Sequence, residues 1–370
     1  MFNFFHKHSR TDILKQYWVD YKQYIVACTI GLAVVLVVGA FVIKGGSSQP
    51  IIPDTPPIAD NQTDDAGIPS NPALAHPLTG VECDRYDQRP YAVMLSSDAV
   101  VRPLSGIAAA DIVVEMPVVQ GGITRMMAVF VCDVPDEIGS IRSARNDFIP
   151  VAASLDVIYA HWGGEKQALT RLNNKVLDNL NGLVLEGTTF YRKSGVAPPH
   201  NGFTNYERMQ QQAERFGYET TYNGPTYLHI QGEQQHDQES VLSIGYGLGS
   251  NVSYTYNPFT NKYARLRGGR AEMDRLTYQQ VQTDNVAILV TNMRHDYEQY
   301  NKVDITGSGD LYLAQNGVIV KGRWTKAQTP LESEIFFYDE NGSQIPFVTG
   351  KVWIQYVDKS TGVKWAGEAI

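Results

Sequence analysis

The chain has 370 residues, with 31 Lys and Arg against 39 Asp and Glu, a formal net charge of −8. From residue 45 onward the balance is 26 basic against 37 acidic residues, which argues against nucleic acid and anionic lipid surfaces as electrostatic partners of that part. The length supports a real hydrophobic core, so cross-links are not required for folding.

Residues 25–43, IVACTIGLAVVLVVGAFVI, form an uncharged apolar run. As a helix it would be about 28 Å long, close to the ~30 Å hydrocarbon core of a bilayer. Lys7, Arg10, Lys15 and Lys22 precede it; after Lys44 the next basic residue is Arg85. That asymmetry predicts a cytoplasmic N-terminus at 1–24, a single-pass anchor at 25–43 and an extracytoplasmic remainder. A cleaved signal peptide would have a shorter apolar core and a small-residue cleavage site. A lipoprotein signal fits less well, because the apolar stretch follows Cys28. Residues 44–75 are rich in proline and lack aromatic side chains, which predicts a disordered, semi-extended tether.

Residues 76–235 alternate two textures. Strands are expected at 91–95, 111–119, 125–131 and 157–160, where short apolar runs are rich in Val, Ile and Met. Helices are expected at 147–155, 165–173 and 205–216, the last stopped by Gly217. Interleaving of this kind predicts an α/β or α+β layered domain. Residues 236–370 read as a mainly antiparallel β domain. Asn316-Gly317 and Asn341-Gly342 lie between apolar runs, a strong hairpin signal, and Asn257-Pro258 marks another turn. Residues 352–357, VWIQYV, add a strand.

Cys83 and Cys132 are the only cysteines after the apolar run. In an oxidising compartment they are expected to form one disulfide; two buried free thiols are the alternative. No CxxC, HExxH or zinc-ligand spacing occurs, and neither a metal nor a cofactor is expected.

The unusual polar residues fall in glycine-rich loops of the first domain. Glu115 interrupts the apolar run IVVEMPVV, and Arg125 follows Gly121-Gly122. Arg142 and Arg145 lie between a glycine and a predicted helix. His161 ends the VIYA strand, and His200-Asn201 precedes the last helix. Ligands collect at the carboxyl ends of strands in open α/β sheets, and arginine grips carboxylate or phosphate bidentately. Glu115, Arg125, Arg142, Arg145, His161, His200 and Asn201 are therefore the candidate ligand-binding set, expected to face one cleft. Each has a plainer reading. Glu115 and Arg125 can be a cross-strand ion pair. Arg142 and Arg145 can brace Asp111 and Asp147, and His161 can be a core histidine bonded to a carbonyl. Ser105, Ser140 and Ser143 sit in no GxSxG elbow, and no spacing demands a carboxylate pair of Glu115 with Asp111 or Glu165.

These motifs resemble the YerB-type family of bacterial envelope lipoproteins, a family of unknown function with an N-terminal and a C-terminal domain. The resemblance rests on Arg89-Pro90-Tyr91-Ala92-Val93-Met94, Arg102-Pro103-Leu104-Ser105-Gly106, Gly122-Ile123-Thr124-Arg125, Ile141-Arg142-Ser143-Ala144-Arg145, His161-Trp162-Gly163-Gly164 and Pro199-His200-Asn201. In the second half it rests on Gly322-Arg323-Trp324-Thr325-Lys326 and Val352-Trp353-Ile354. It spans roughly 77–357 and implies a membrane-tethered extracytoplasmic protein. It carries over no reaction, and the chain departs from the family in lacking a usable lipobox. The expected function is binding of a polar or anionic cell-wall ligand. The alternatives are a wall hydrolase or transferase using His161 or His200 with Glu115, and a non-catalytic partner of wall-synthesis enzymes. The bilayer is the expected partner of the apolar run.

Overall fold

The computed structural model describes residues 74–370, apart from Gln235 and Leu248. The expected cytoplasmic segment and anchor, and the tether up to residue 73, lie outside the described residues. Among the described residues no helix is long and apolar enough to cross a membrane.

The molecule is mostly sheet with few helices. One mixed sheet carries β1 (Tyr91–Ser96), β2 (Ile112–Val119), β3 (Ile123–Phe130), β4 (Ile158–His161), β5 (Asn179–Asn181), β6 (Asn285–Thr291), β7 (Gly307–Gln315), β8 (Val318–Lys326), β9 (Ile335–Asp339) and β10 (Val352–Asp358). Their order is β9-β8-β7-β6-β10-β2-β3-β1-β4-β5. Strands from either side of residue 235 thus share one sheet. The seam is β2 beside β10, parallel, with Ile112 opposite Val352 and Glu115 opposite Gln355. β2 and β10 are buried along nearly their whole length, which explains why they read as unbroken apolar runs: both faces of the sheet are covered.

Alternation sorts each central strand between two cores. Val93, Val113, Met126, Ile288 and Trp353 face the first; Met94, Val114, Met127, Leu289 and Ile354 face the second. A second, antiparallel sheet lies over the first core. It is built mainly from Ser240–Ile244, Val252–Asn257, Lys262–Arg267 and Val363–Trp365, and it inserts Leu242, Val252, Tyr254 and Tyr263. The helix α1 (Ile149–Ser154) packs Ile149, Val151 and Ala152 into the second core, and α2 (Lys166–Asn173) adds Ala168 and Leu172. The helix α3 (Tyr206–Phe216) places Tyr206, Met209 and Ala213 in the first core. Asn205 caps α3 by accepting from Arg208 N at 3.0 Å, and Gly217 ends it in the left-handed region at φ 69°. The helix expected at 147–155 is split: a 3-10 turn, Asn146–Phe148, leads into α1, with Pro150 in the first turn, where proline's missing N–H costs least.

Asn316-Gly317 makes the expected tight hairpin between β7 and β8, with both residues at positive φ. Asn341-Gly342 makes a turn but not a long hairpin. Asp339 accepts from Asn341 N and Ser343 N, and the ladder runs only to Ile345 N donating to Phe337 O. Pro346 has no N–H to extend it, and Phe347–Val348 pairs instead with His229–Ile230. Cys83 and Cys132 are joined by a disulfide, Cα atoms 5.6 Å apart, which ties the segment before β1 to the end of β3.

Candidate functional site

Two charged centres occupy opposite faces of the main sheet. Glu115 is fully buried on the first-core face, between the two sheets. Its Oε2 lies 2.5 Å from Arg265 Nη2 and its Oε1 lies 2.7 Å from Arg267 Nη2. Arg265 Nε reaches Glu272 at 2.7 Å and Arg267 Nε reaches it at 3.4 Å. The quartet is electrically balanced and satisfied: Thr124 Oγ1 donates to Glu115, Arg265 donates to Tyr254 Oη, and Gln355 Nε2 donates to the same Tyr254 oxygen at 3.0 Å. Burial opposes ionisation of Glu272, but Arg267 and Arg265 outweigh it and hold its carboxyl down to about 2. Glu115 is held low by the same two arginines against the same penalty. A cavity of about 260 Å³ opens beside the quartet, lined by Arg102, Pro103, Arg267, Arg270, Glu272 and Met273 among others.

The second centre sits where the parallel strands β1 and β4 end. Arg125, on β3 opposite Ser96, points to the other face of the sheet from Glu115, because Glu115 shares its face with Met126. The cross-strand pair of Glu115 with Arg125 therefore does not form. Arg142 is held by its backbone: its N–H donates to Met94 O at 2.8 Å and its carbonyl accepts from Trp162 N at 3.0 Å. Its Nη1 donates to Pro199 O at 3.4 Å, bringing the 198–201 loop alongside. Asp98, just beyond β1, lies 3.7 Å from Arg142 Nη2 and 3.9 Å from His200 Nδ1. Arg145 completes the group, its guanidinium 4.9 Å from the Tyr300 ring centre.

This centre is neither balanced nor satisfied. Arg125 Nε and Nη1, Arg142 Nε, Arg145 Nε and His200 Nδ1 are buried atoms with no hydrogen-bond partner. Burial first, then Arg145 and Arg142, push the Arg125 guanidinium down to about 9, with Asp98 resisting. Burial alone would raise the Asp98 carboxyl, but Ser96, Arg125, Arg142 and His200 hold it below its ordinary value. Burial and Arg142 lower the His200 imidazole against the pull of Asp98. Arg142, Asp98 and His200 keep side-chain exposures of 21%, 29% and 18%, so they form a rim over Arg125, which is 4% exposed. Buried guanidinium groups without partners are costly, and they suit an anion that enters from the rim.

The remaining candidates have other duties. His161 is fully buried, with Nδ1 2.7 Å from Gly163 O and Nε2 3.2 Å from Asn179 Oδ1. That is the core-histidine reading, and Glu115 on the opposite face forms no acid–base pair with it. Asn201 Oδ1 accepts from Arg192 Nη1 at 3.0 Å, and Arg192 covers the Trp162 ring at 3.9 Å. Gly202 allows that packing: a Cβ there would meet Trp162 at 2.5 Å. Asp147 is braced by Lys302 and by Val303 N, not by Arg142 or Arg145. Asp111 accepts from Val131 N at 2.7 Å and Cys132 N at 3.2 Å. Ser105 donates to Glu137, while Ser140 Oγ is buried without a partner. Among the described residues no three His, Cys, Asp or Glu side chains gather as metal ligands. Asp98, Arg265, Arg267 and Glu272 were not among the candidates. Arg265 and Arg267 sit in a strand whose alternation puts them inward and Leu266 outward, the reverse of a hydrophobicity-based reading.

Residues 78–219 match the family model "Protein of unknown function (DUF3048) N-terminal domain", and residues 242–354 match its C-terminal domain. The chain belongs to the DUF3048 family. It is 30% identical over 292 residues to "Putative lipoprotein YerB" of Bacillus subtilis (strain 168), covering 77% of this chain and 86% of that one. The crystal structure of the Bacillus subtilis YerB protein superposes with a TM-score of 0.71 at 29% identity, covering 79% of this chain and 99% of that one. The charged residues of the arginine centre lie within the DUF3048 N-terminal match, and Tyr300, against Arg145, comes from the C-terminal one. The quartet joins the two DUF3048 domains, Glu115 from the first and Arg265, Arg267 and Glu272 from the second.

Proposed function

We propose that the protein is a membrane-held, extracytoplasmic component of the bacterial cell envelope that binds an anionic envelope ligand at the arginine centre. One observation carries the binding reading: three arginines converge with buried, unpartnered N–H groups. Such donors are costly to leave unpaired and are worth about 1.5–3 kcal/mol each when bonded to a charged acceptor. The envelope reading is supported by the lipoprotein name of the relative and by the apolar run at 25–43 with its basic N-terminal flank. A cell-wall polymer or a fragment of one is the ligand class that compartment offers.

Calorimetric titration of the full-length protein in detergent with anionic wall fragments tests the binding. The wild type should give saturable heat, and Arg142→Ala should weaken affinity tenfold or more. No heat from any wall fragment would refute the reading. Topology is tested separately. A variant without native cysteines, carrying one reporter cysteine in 44–75, should label in intact cells with an impermeant thiol reagent; protection would overturn the orientation.

A further inference from the structure

The ligand class can be narrowed, and the narrowing rests on the anion reading above. The unpartnered donors come from three separate guanidinium groups: Nε and Nη1 of Arg125, Nε of Arg142 and Nε of Arg145. Asp98 is the carboxylate that faces Arg125, Arg142 and His200 together. Glu165 faces Arg145, but its Oε1 is occupied, accepting from Asn146 N at 2.6 Å. Even with Glu165 counted, the arginines are in excess. Arg125 forms the floor and cannot move out to solvent without leaving the second core, so the positive charge stays where it is buried.

We infer that the arginine centre binds the terminal phosphoryl group of a phosphomonoester, with Arg125 beneath it and Arg142 and Arg145 at its sides. A terminal phosphoryl offers three oxygens and close to two negative charges at neutral pH, one oxygen for each guanidinium. A carboxylate offers two oxygens and one charge. An internal phosphodiester offers two terminal oxygens and one charge, and its second ester arm would need room beside the buried floor. Arginine's planar fork suits phosphate oxygens in just this way. His200, on the rim, is placed to donate to a phosphoryl oxygen or to the ester oxygen through the Nδ1 that has no partner.

The phosphoryl group can be borne by a small soluble molecule or by a lipid, and the test separates the two. Full-length protein in detergent is titrated with glycerol 3-phosphate, dihexanoyl phosphatidic acid, sulfate, acetate and dimethyl phosphate at pH 5 and pH 7. Glycerol 3-phosphate is expected to bind about tenfold more tightly at pH 7 than at pH 5, because its second proton leaves near pH 6. Sulfate keeps two charges throughout, so its smaller change isolates the titration of His200, Asp98 and Glu165. Tighter binding of phosphatidic acid than of glycerol 3-phosphate assigns the lipid-borne form, and equal binding the soluble form; both support the phosphoryl site. Arg125→Met and Arg145→Gln should each lower phosphomonoester affinity at least tenfold, and Arg145→Gln lies away from the core should Arg125→Met fail to fold. Acetate or dimethyl phosphate bound as tightly as glycerol 3-phosphate would overturn the phosphoryl assignment and leave the anion reading standing. Binding of wall fragments with no binding of either phosphomonoester would do the same. Absence of binding by every anion would overturn both.

Discussion

At the scale of single residues, the two centres obey opposite rules. Glu115 lies between two arginines in a closed quartet, so removing it leaves Arg265 and Arg267 buried with one carboxylate between them. Glu115→Ala is expected to destabilise the protein by about 3–5 kcal/mol, read as a lower urea midpoint at unchanged slope. Arg125 is already buried without partners, so the same removal relieves a penalty. Arg125→Met should leave the urea midpoint unchanged or raised. The sign of the pH dependence follows from Glu272. Its carboxyl is lowered from 4.5 to about 2 in the folded state. The stabilisation it provides is fully present above its unfolded value and is lost as pH falls from about 4.5 through about 2. Asp111 works the other way: burial outweighs the Val131 and Cys132 N–H donors and the Lys351 charge and raises its carboxyl from 3.8 to about 6, so its contribution is complete below about 3.8 and declines as pH rises through about 6. Urea midpoints across pH 2–7 should therefore fall steeply below about pH 4.5 in the wild type and less steeply in Glu272→Gln.

At the scale of elements, the disulfide and the glycine turns hold the frame in place. Cys83 and Cys132 are 49 residues apart, and closing such a loop is worth about 4 kcal/mol in the chain-entropy account. Reduction should lower the melting temperature without abolishing folding, since the two cores do not depend on the bridge; an unchanged melting temperature on full reduction would show that the segment before β1 adds no constraint. Gly122, at φ 86°, turns β2 into β3 and packs against the loop that follows Ser240–Ile244: a Cβ there would lie 1.7 Å from Tyr246 O. That turn joins the paired strands β2 and β3, which put Glu115 and Thr124 side by side in the quartet: Thr124 Oγ1 donates to Glu115 and accepts from Arg267 Nη1 at 3.2 Å. The short run from β4 through Gly163 and Gly164 has a comparable part at the other centre, with Ala144 N donating to Gly163 O at 2.9 Å. It fixes the backbone between Arg142 and Arg145.

At the scale of the whole molecule, β2 and β10 are neighbours although more than two hundred residues separate them in the chain. Cutting the chain at 235 would leave β2 without β10 on one piece and expose the long apolar edge of β10 on the other. Fragments 74–235 and 236–370 expressed apart are expected to be unfolded or aggregated, and to regain sheet structure by circular dichroism when mixed. The intact protein should unfold in one cooperative transition. Two independent transitions, or a fragment that folds alone, would show that the shared sheet is not what couples the halves.

Much was legible before the fold was known. The apolar runs marked β1 to β4, Asn205 and Gly217 bounded α3, Asn316-Gly317 marked its hairpin, and glycine with arginine at strand ends pointed to Arg125, Arg142, Arg145 and His200. These features are written in local spacing, and local spacing survives in a sequence read alone. Three things were not legible. That Glu115 and Arg125 face opposite cores depends on which strand residues meet across β2 and β3. That Glu115 pairs with Arg265 and Arg267 depends on the second sheet folding over the first. That Asp98 joins the arginines depends on β1 pairing with β3 and on the Arg142 backbone bonding to β1, and His200 joins them only because the 198–201 loop returns beside Arg142. Period-2 alternation states that neighbouring residues point apart, but not what lies on either side. The sequence alone determined the elements and the charged residues at their ends; which charges were cancelled in the core and which were left without partners was decided only when distant strands were brought into one sheet.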